Sequence, residues 1–316
     1  MQYNVLVTGG AGFIGSHLAE RLAKKGMFVR IIDNFSTGSW DNLKFLKQKN
    51  NVEIVNGDLK NDELYQRNIL DNIDVVFHFA ANPEVRISST LPEVHFNENI
   101  VATFKLLEAI RKKGNVKTIV FASSSSVYGE PKTIPVTEDA PIRPVSVYGA
   151  SKAACEVLIH SYSTLYGIRA IILRYANVVG PRLRHGVIYD FYMKLMRDPY
   201  ELEILGDGLQ VRSFIYISDA IDATLLTVEK TKTMFEVFNV ASEDWITIND
   251  VANIVLRVLG LNRTKIRYKP LYHGIGWPGD VKKIALSISK IKKLGFKPKY
   301  TSKEAVELTI KSYLED

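Results

Sequence analysis

Cysteine is almost absent from this sequence, since Cys155 is the only one in 316 residues. A disulfide scaffold is therefore excluded, and a single thiol favours a reducing compartment such as the cytoplasm. Long hydrophobic runs are absent as well. Residues 75–81 form one of the longest and contain a histidine, whereas a membrane-spanning helix needs about 20 apolar residues. Residues 1–4 are all that precedes the first apolar run, so we expect neither a secretory signal nor a membrane partner.

Acidic residues are fewer than basic ones, 34 against 41, which gives a formal net charge of +7. Most of the basic clusters fall in or just after helical patterns, where a solvated face explains them. The chain has no zinc-finger spacing and no basic stripe interleaved with aromatic residues. We therefore expect no nucleic-acid partner and no metal site.

The first half of the chain alternates strand and helix patterns. The predicted strands are residues 5–8, 28–33, 52–56, 75–79, 118–122 and 170–174, and the predicted helices are 13–25, 97–113 and 148–166. Several of the strands are apolar throughout, which is typical of strands buried on both faces of a parallel sheet. The order predicts an α/β fold with a doubly wound parallel sheet of the Rossmann type.

The regular alternation ends near residue 175. Glycine turns and short elements follow, but apolar strand patterns return at residues 214–217 and 237–241. This predicts a first domain over residues 1–175, with returning segments near 213–241. Residues 176–316 are then expected to form mainly a smaller mixed α/β lobe, and the two parts are expected to share a cleft.

Three glycines lie between the first strand and the first helix, at Gly9, Gly12 and Gly15. Gly9 suits a tight turn, Gly12 a close approach of the backbone to a pyrophosphate, and Gly15 close packing of the helix on the strand. The diphosphate would rest on the N–H groups and positive end of that helix. Strand, turn and helix in this order predict a dinucleotide site.

An acidic residue stands where the second strand ends, at Asp33. A carboxylate there accepts hydrogen bonds from the adenosine ribose and repels a 2′-phosphate. No arginine occurs in the next positions, Asn34, Phe35 and Ser36, so the pattern predicts NAD as the cofactor and not NADP. Asp58, which follows the third strand, is expected to meet the adenine edge.

Tyr148 and Lys152 are four positions apart in a helical pattern and therefore share a face. A phenol with a pKa of about 10 is a poor base. A nearby ammonium, together with the positive ring of NAD⁺, would favour the phenolate. Ser124 follows a strand and would bring a hydroxyl to the same edge of the sheet. Ser124, Tyr148 and Lys152 are thus the predicted catalytic residues for interconverting an alcohol and a ketone.

These motifs resemble, over essentially the whole chain, the extended short-chain dehydrogenase/reductase family, and within it nucleotide-sugar epimerases of the UDP-glucose 4-epimerase type. The resemblance implies a role in carbohydrate (galactose) metabolism and an isomerase that oxidises C4 of the sugar, turns the 4-keto sugar over and returns the hydride. The matching segments are residues 8–17, 33–38, 78–81, 121–129, 173–181 and 278–280, with Tyr148 and Lys152 at the positions of the family's base and lysine.

The family resemblance also implies ligand contacts. Its cofactor-binding residues here are Gly9, Gly12, Phe13, Ile14, Gly15, Asp33, Asn34, Ser36, Thr37, Gly38, Asp58, Leu59, Phe79, Ala80, Ala81, Asn99, Ser123, Tyr148, Lys152, Tyr175 and Val178. Its substrate-binding residues are Arg86, Ser124, Tyr148, Asn177, Val187, Arg212 and Asp280. Asn177 and Arg212 would meet the diphosphate and Asp280 the uridine ribose.

Several positions depart from the family pattern. Ser125 and Ser126 replace the Asp-Glu pair that dehydratases of the family use to expel water, which favours epimerisation. Ser213 replaces an aspartate after Arg212, which is expected to loosen the arginine. Trp277 replaces an arginine before Pro278, so we expect Arg86 or Lys282 to supply that charge and Trp277 to stack or to pack.

Alternative functions remain at this point. The aliphatic Ile284 resembles the position that limits sugar size and leaves a UDP-N-acetylglucosamine 4-epimerase open. A related enzyme, such as a uronate epimerase or decarboxylase, is a separate alternative. A non-catalytic NAD-binding regulator is a remote alternative, because it would be expected to have lost Tyr148 and Lys152.

The helices over 97–113 and 148–166 suggest a homodimer. Ala153, Ala154, Leu158 and Tyr162 would form a small, apolar contact face. The alternative is that these side chains only cover the sheet of their own chain.

Overall fold

A computed structural model describes residues 3–315. The strands are β1 (Asn4–Thr8), β2 (Phe28–Asp33), β3 (Val52–Asn56), β4 (Val75–His78), β5 (Thr118–Ser124), β6 (Arg169–Tyr175), β7 (Asn177–Val179), β8 (Glu201–Leu205), β9 (Val211–Arg212), β10 (Phe214–Tyr216), β11 (Phe235–Val240), β12 (Ile246–Thr247) and β13 (Lys265–Lys269). The α-helices are α1 (Phe13–Lys24), α2 (Asp62–Gln66), α3 (Pro92–His95), α4 (Ala102–Lys113), α5 (Val147–Tyr166), α6 (Gly186–Arg197), α7 (Ile217–Lys230), α8 (Ile248–Leu259), α9 (Ser289–Lys292) and α10 (Ser302–Glu315). Short 3₁₀ turns occupy Trp40–Leu43, Val85–Ser89, Ser125–Tyr128 and Tyr272–Gly274, and a π-helical turn occupies Phe96–Val101.

The main sheet of the described chain has seven strands in the order β11-β6-β5-β4-β1-β2-β3. Every neighbouring pair in it is parallel. The strand order reverses between β1 and β4, and open α/β sheets bind ligands outside the carboxyl ends of the strands at such a point. The predicted doubly wound α/β fold is confirmed.

Both faces of this sheet are covered, which explains why its strands are apolar throughout. In β1, Val5 and Val7 pack into one buried cluster and Leu6 packs into another on the opposite face. In β2, Ile31 and Ile32 divide in the same way. Side chains alternate between faces along a strand, so both layers of helices gain a core from one run of residues.

The later part of the chain contributes to both regions of the molecule. β11 pairs with β6 at the edge of the main sheet. A third buried cluster joins α6, α8, β8 and α10 and is centred on residues such as Phe191, Leu202, Val255 and Ile310. The cleft described below is lined by elements of the main sheet and by elements of this third cluster.

Two predicted boundaries differ from the structure. The predicted helix over 97–113 begins with the π turn Phe96–Val101 before α4, and wider turns of this kind are frequent near functional sites. The predicted strand over 214–217 ends at Tyr216, because Ile217 already begins α7.

Candidate active site

One large cleft lies at the carboxyl ends of the main-sheet strands and has a volume of about 670 Å³. That volume is within the range of small-molecule and cofactor sites. The cleft is lined by the turn after β1, the ends of β2, β4 and β5, the start of α5 and the segments around Arg212 and Asp280. A dinucleotide and a second ligand can therefore meet in a single continuous space.

The glycine turn has the close contacts that the sequence predicted. A Cβ on Gly15 would lie 2.2 Å from the Gly9 carbonyl oxygen. Gly9 has a φ of +68°, and its Cβ would lie 2.6 Å from the Ala80 nitrogen. Gly12 is the N-cap of α1 and brings no side chain to the cleft. The N–H groups at the start of α1 are thus left for an anion, which fits the pyrophosphate of NAD.

Asp33 closes β2 beside this turn and is 8% exposed. Its Oδ2 accepts a hydrogen bond from the Ala11 N–H at 2.9 Å, and its Oδ1 accepts one from the Phe35 N–H at 2.8 Å. Burial raises the pKa of Asp33, and these backbone hydrogen bonds oppose the rise. Each oxygen keeps a lone pair, so the carboxylate fits a ribose diol that donates to it.

Asp58 lines the same end of the cleft. It accepts hydrogen bonds from the Asn34 amide at 3.1 Å and the Lys60 ammonium at 2.8 Å. Burial alone would raise the pKa of Asp58, but the hydrogen bonds from Lys60 and Asn34 outweigh burial and lower this pKa. The structure therefore adds Lys60 to the predicted residues Asn34 and Asp58.

The three predicted catalytic side chains converge on the cleft from two elements. Ser124 ends β5, and Tyr148 and Lys152 lie on the first turns of α5. Ser146 caps α5 by accepting a hydrogen bond from the Gly149 N–H at 3.1 Å. The Tyr148 N–H donates to the Ser88 hydroxyl at 3.1 Å. Both contacts fix where α5 begins and hence where Tyr148 enters the cleft.

The electrostatics of this trio differ from the sequence expectation in one respect. Burial raises the pKa of Tyr148 to about 12, and a hydrogen bond with Ser124 opposes the rise. Burial also lowers the pKa of Lys152 to about 8, while Cys155 and Glu156 act in the opposite direction. The protein's own residues thus raise the pKa of the phenol, and the positive charge of bound NAD⁺ would act in the opposite direction.

The Arg212 side chain is fixed by the Pro278–Asp280 turn. Its Nη2 donates to Asp280 Oδ1 at 2.7 Å and to the Val281 carbonyl at 2.5 Å. Ser213 is buried and shares a hydrogen bond with Ser242 at 2.8 Å. The expectation that Ser213 would loosen Arg212 is therefore wrong, because Asp280 orients the arginine.

Arg86 and Lys282 were alternative sources of a charge near Trp277. Lys282 forms an ion pair with Asp207 and donates to the Gly274 carbonyl at 3.3 Å. Arg86 lines the cleft and pairs with Glu84 at 3.1 Å. Of the two, Arg86 is the one in the cleft, and Trp277 lines it as well.

The predicted site residues line this cleft, with two exceptions among the described residues: Gly38 and Asn99. A Cβ on Gly38 would lie 2.9 Å from Asp33 Oδ1, so this glycine packs behind the carboxylate. Asn99 is buried and donates to the Ser151 hydroxyl at 2.8 Å, and Ser151 donates to the Tyr148 carbonyl at 2.7 Å. The contact of Asn99 with the cofactor stays a prediction, and in the structure this side chain supports α5 through Ser151.

Sequence reasoning missed other residues that line the cleft, notably Glu84, Arg182 and Gln210. Arg182 directly follows the Gly180-Pro181 turn, and a cation immediately after such a turn was the available signal. Glu84 and Gln210 lie in irregular segments whose course the pattern of the sequence does not give.

Comparison with known proteins agrees with this geometry. Residues 5–241 match the family described as NAD dependent epimerase/dehydratase. A putative UDP-glucose 4-epimerase of Methanocaldococcus jannaschii is 36% identical over 97% of both chains.

Solved structures share the whole fold. A UDP-galactose 4-epimerase structure is 47% identical with a TM-score of 0.88, and the match covers 99% of both chains. A UDP-glucuronic acid 4-epimerase from Bacillus cereus, solved with UDP-glucuronic acid and NAD, is 32% identical with a TM-score of 0.90 over 99% of both chains. These matches confirm the predicted resemblance, the isomerase class and NAD as cofactor. The chain belongs to the NAD-dependent epimerase/dehydratase family.

Proposed function

We propose that this protein is a UDP-sugar 4-epimerase that interconverts UDP-glucose and UDP-galactose. The observation that carries the proposal is the convergence of Ser124, Tyr148 and Lys152 on a cleft shared by the dinucleotide turn and the Arg212–Asp280 pair. A dinucleotide at the glycine turn and a sugar nucleotide at the Arg212–Asp280 pair would place the sugar between the two sites. The sugar would then lie next to the hydroxyls of Ser124 and Tyr148.

Bound NAD would supply the hydride chemistry, taking hydride from C4 of the sugar and returning it to the opposite face. Tyr148 would take the proton of the 4-hydroxyl and later return one. Ser124 would hydrogen-bond O4 and orient it. Lys152 would hold the nicotinamide ribose and place a positive charge near the phenol.

The substrate half of the cleft fits an anionic diphosphate. Arg212 is fixed in place by Asp280, and a guanidinium held in this way recognises phosphate oxygens in a set direction. Asn177 donates to the Ser213 carbonyl at 3.1 Å and has a further N–H for the diphosphate. Val187 lies on the wall formed by the start of α6. The division into a cofactor part, residues 1–175 with returning segments near 213–241, and a mainly substrate-binding part, residues 176–316, belongs to this proposal.

The serine segment favours epimerisation over dehydration. Loss of water needs an acid to protonate the leaving hydroxyl, and the residues after Ser124 are Ser125 and Ser126, both lining the cleft. The Ser124 hydroxyl donates to the Ser126 hydroxyl at 3.0 Å. Hydroxyl groups can orient an alcohol but do not supply that acid.

A second candidate substrate is UDP-N-acetylglucosamine. Ile284 lines the cleft and is 7% exposed. An aliphatic side chain there occupies less of the sugar end than an aromatic one, which favours room for an acetamido group.

We also propose that the protein is a cytoplasmic homodimer that associates through α4 and α5. Three of the four residues named from the sequence fit the alternative reading better, because Ala153 is buried and Leu158 and Tyr162 pack on the core of their own chain. The outward apolar side chains include Phe104 on α4 and Val157 and Leu165 on α5. Helices within residues 3–315 lack the combination of length and apolarity that a membrane span would require.

A substrate panel tests the proposed activity. UDP-galactose, UDP-N-acetylgalactosamine and UDP-galacturonic acid are incubated separately with wild type and with Tyr148→Phe, and products are separated by ion-pair chromatography. The proposal expects fastest conversion of UDP-galactose by wild type and loss of conversion in the variant. Faster conversion of an acetylated or uronate sugar would replace UDP-galactose as the substrate.

A further inference from the structure

We propose that residues 180–186, here called the strap, keep NAD in the cleft, and that Arg182 is the positioning residue that holds the strap against α1. The strap links β7 to α6. Residues Arg182, Leu183, Arg184, His185 and Gly186 line the cleft, as do Gly12 and Phe13 at the start of α1. The inference rests on NAD as the cofactor and not on which sugar is converted.

Three contacts join the strap to α1. Arg182 Nη2 pairs with Glu20 Oε2 at 2.7 Å, and its Nη1 donates to the Ser16 hydroxyl at 3.2 Å. His17 Nε2 donates to the Pro181 carbonyl at 3.0 Å. Ser16, His17 and Glu20 directly follow the residues that would hold the pyrophosphate. The strap is therefore fastened to the flank of the helix on whose first turn NAD would rest.

The far side of the strap is fastened too. The Tyr313 hydroxyl on α10 donates to the Leu183 carbonyl at 2.7 Å. Because the strap is held on both sides, it has to detach on one side before it can move away from a bound dinucleotide. On the α1 side the strap is held by the ion pair between Arg182 and Glu20. That pair is shielded from water, because the two side chains are only 17% and 19% exposed.

Backbone strain points to the same segment. Arg182 has a φ of +70° although it carries a side chain. Residues other than glycine adopt this conformation at a cost, and they do so mainly at ligand clamps and active sites. Gly180 has a φ of +148°, and its Cβ would lie 2.5 Å from Ile217 Cγ2. The strap thus begins at a sterically constrained glycine, Gly180. Its backbone is strained at Arg182, the residue that contacts α1.

The ion pair persists over a wide pH range. Burial alone would raise the pKa of Glu20, but hydrogen bonds from Lys24 and Arg182 outweigh burial and lower this pKa. Burial, and to a smaller extent the positive charge of Arg182, lower the pKa of His17 to about 4. His17 is therefore neutral near pH 7 and adds no repulsion to Arg182.

The test measures release of bound NAD from the purified holoenzyme. Wild type, Arg182→Gln, Glu20→Gln and the double variant are diluted into an excess of an NAD-hydrolysing enzyme, and bound NAD is followed with time. Arg257→Gln is the matched control, because it breaks the Arg257–Glu307 pair of 2.8 Å away from the cleft. Thermal unfolding of each protein verifies that it is folded.

We expect both single variants to release NAD about tenfold faster than wild type, as for loss of one partner of a shielded ion pair. The double variant should be no faster than the quicker single variant, and Arg257→Gln should match wild type. Release at the wild-type rate from folded Arg182→Gln and Glu20→Gln would overturn the proposal. Because bound NAD is measured and not turnover, failure to convert any UDP-sugar would overturn the proposed function without changing this result.

Discussion

The Lys152 ammonium lies 5.9 Å from the centre of the Tyr148 ring and donates a hydrogen bond to the Ala122 carbonyl at 2.9 Å. It also lies 4.9 Å from the centre of the Phe121 ring. These three contacts are all with neutral groups, and the Lys152 side chain is buried. Burial lowers the pKa of Lys152 to about 8, so the side chain keeps its proton at neutral pH at the expense of stability.

Replacing Lys152 by Met should stabilise the fold while removing activity. The folded pKa lies below the unfolded value of about 10.4, so the unfolded chain binds more protons between those values and wild-type stability rises with pH across that window. Below pH 8 the free energy of unfolding of the Lys152→Met variant should exceed that of wild type by on the order of 3 kcal/mol. This difference should vanish near pH 10.5. Denaturant unfolding of NAD-free protein from pH 6 to pH 10.5 measures it, with the exposed Lys132→Met as control. A variant less stable than wild type at pH 7 would contradict this account.

Tyr148→Phe should lower kcat by about 10² or more, the range of general acid–base catalysis, and leave the NAD content unchanged. The hydroxyl is the only group removed, and the ring still packs beside His95, 5.6 Å away between centres. Initial rates of UDP-galactose conversion measure kcat, and the absorbance of released cofactor measures NAD. Tyr192→Phe, which removes a hydroxyl outside the cleft lining, is the control. Full turnover by Tyr148→Phe would rule out its assignment as the base.

Asp33→Asn should weaken NAD binding about tenfold or more, the usual effect of losing a charge-assisted hydrogen bond. Discrimination against NADP should fall at the same time, because the carboxylate charge that repels a 2′-phosphate is gone. Calorimetric titration of NAD and NADP into cofactor-free protein measures both affinities. Asp41→Asn is a control of matched chemistry outside the cleft lining. An unchanged ratio of the two affinities would show that Asp33 does not select the cofactor.

Arg212→Lys should raise KM for the UDP-sugar about tenfold and leave kcat near the wild-type value. Lysine keeps the charge but not the planar set of donors that Asp280 orients. A contact made equally to the bound substrate and the transition state affects KM alone. Steady-state kinetics with Arg257→Lys as control separate the two constants. A fall in kcat at unchanged KM would place Arg212 at the reacting centre instead.

The sequence was informative where residue chemistry and chain order decide the outcome. β2 (Phe28–Asp33) and β3 (Val52–Asn56) have their predicted bounds, because apolar runs end there in polar turn residues. The cleft at the strand ends follows from β-α alternation alone. Ser124, Tyr148 and Lys152 could be placed together because a strand end and one helix face have simple geometry.

Spacing could not reveal contacts between distant segments. Lys282 was a candidate for the cleft but pairs with Asp207, 75 positions away along the chain. Arg182 escaped notice because its partners Ser16 and Glu20 are 166 and 162 positions away along the chain. Asn99 lies in the π turn Phe96–Val101 and donates to Ser151 on α5, a contact that spacing did not indicate. These outcomes depend on tertiary packing, which local pattern does not encode.

The most direct test of the proposed function is proton NMR of the purified protein with UDP-galactose and no added NAD. The account predicts that the anomeric signal of UDP-glucose appears, because Tyr148 moves the proton and Ser124 orients O4 while NAD stays bound from purification. No change in the spectrum, even after NAD is added, would contradict conversion of UDP-galactose by this cleft.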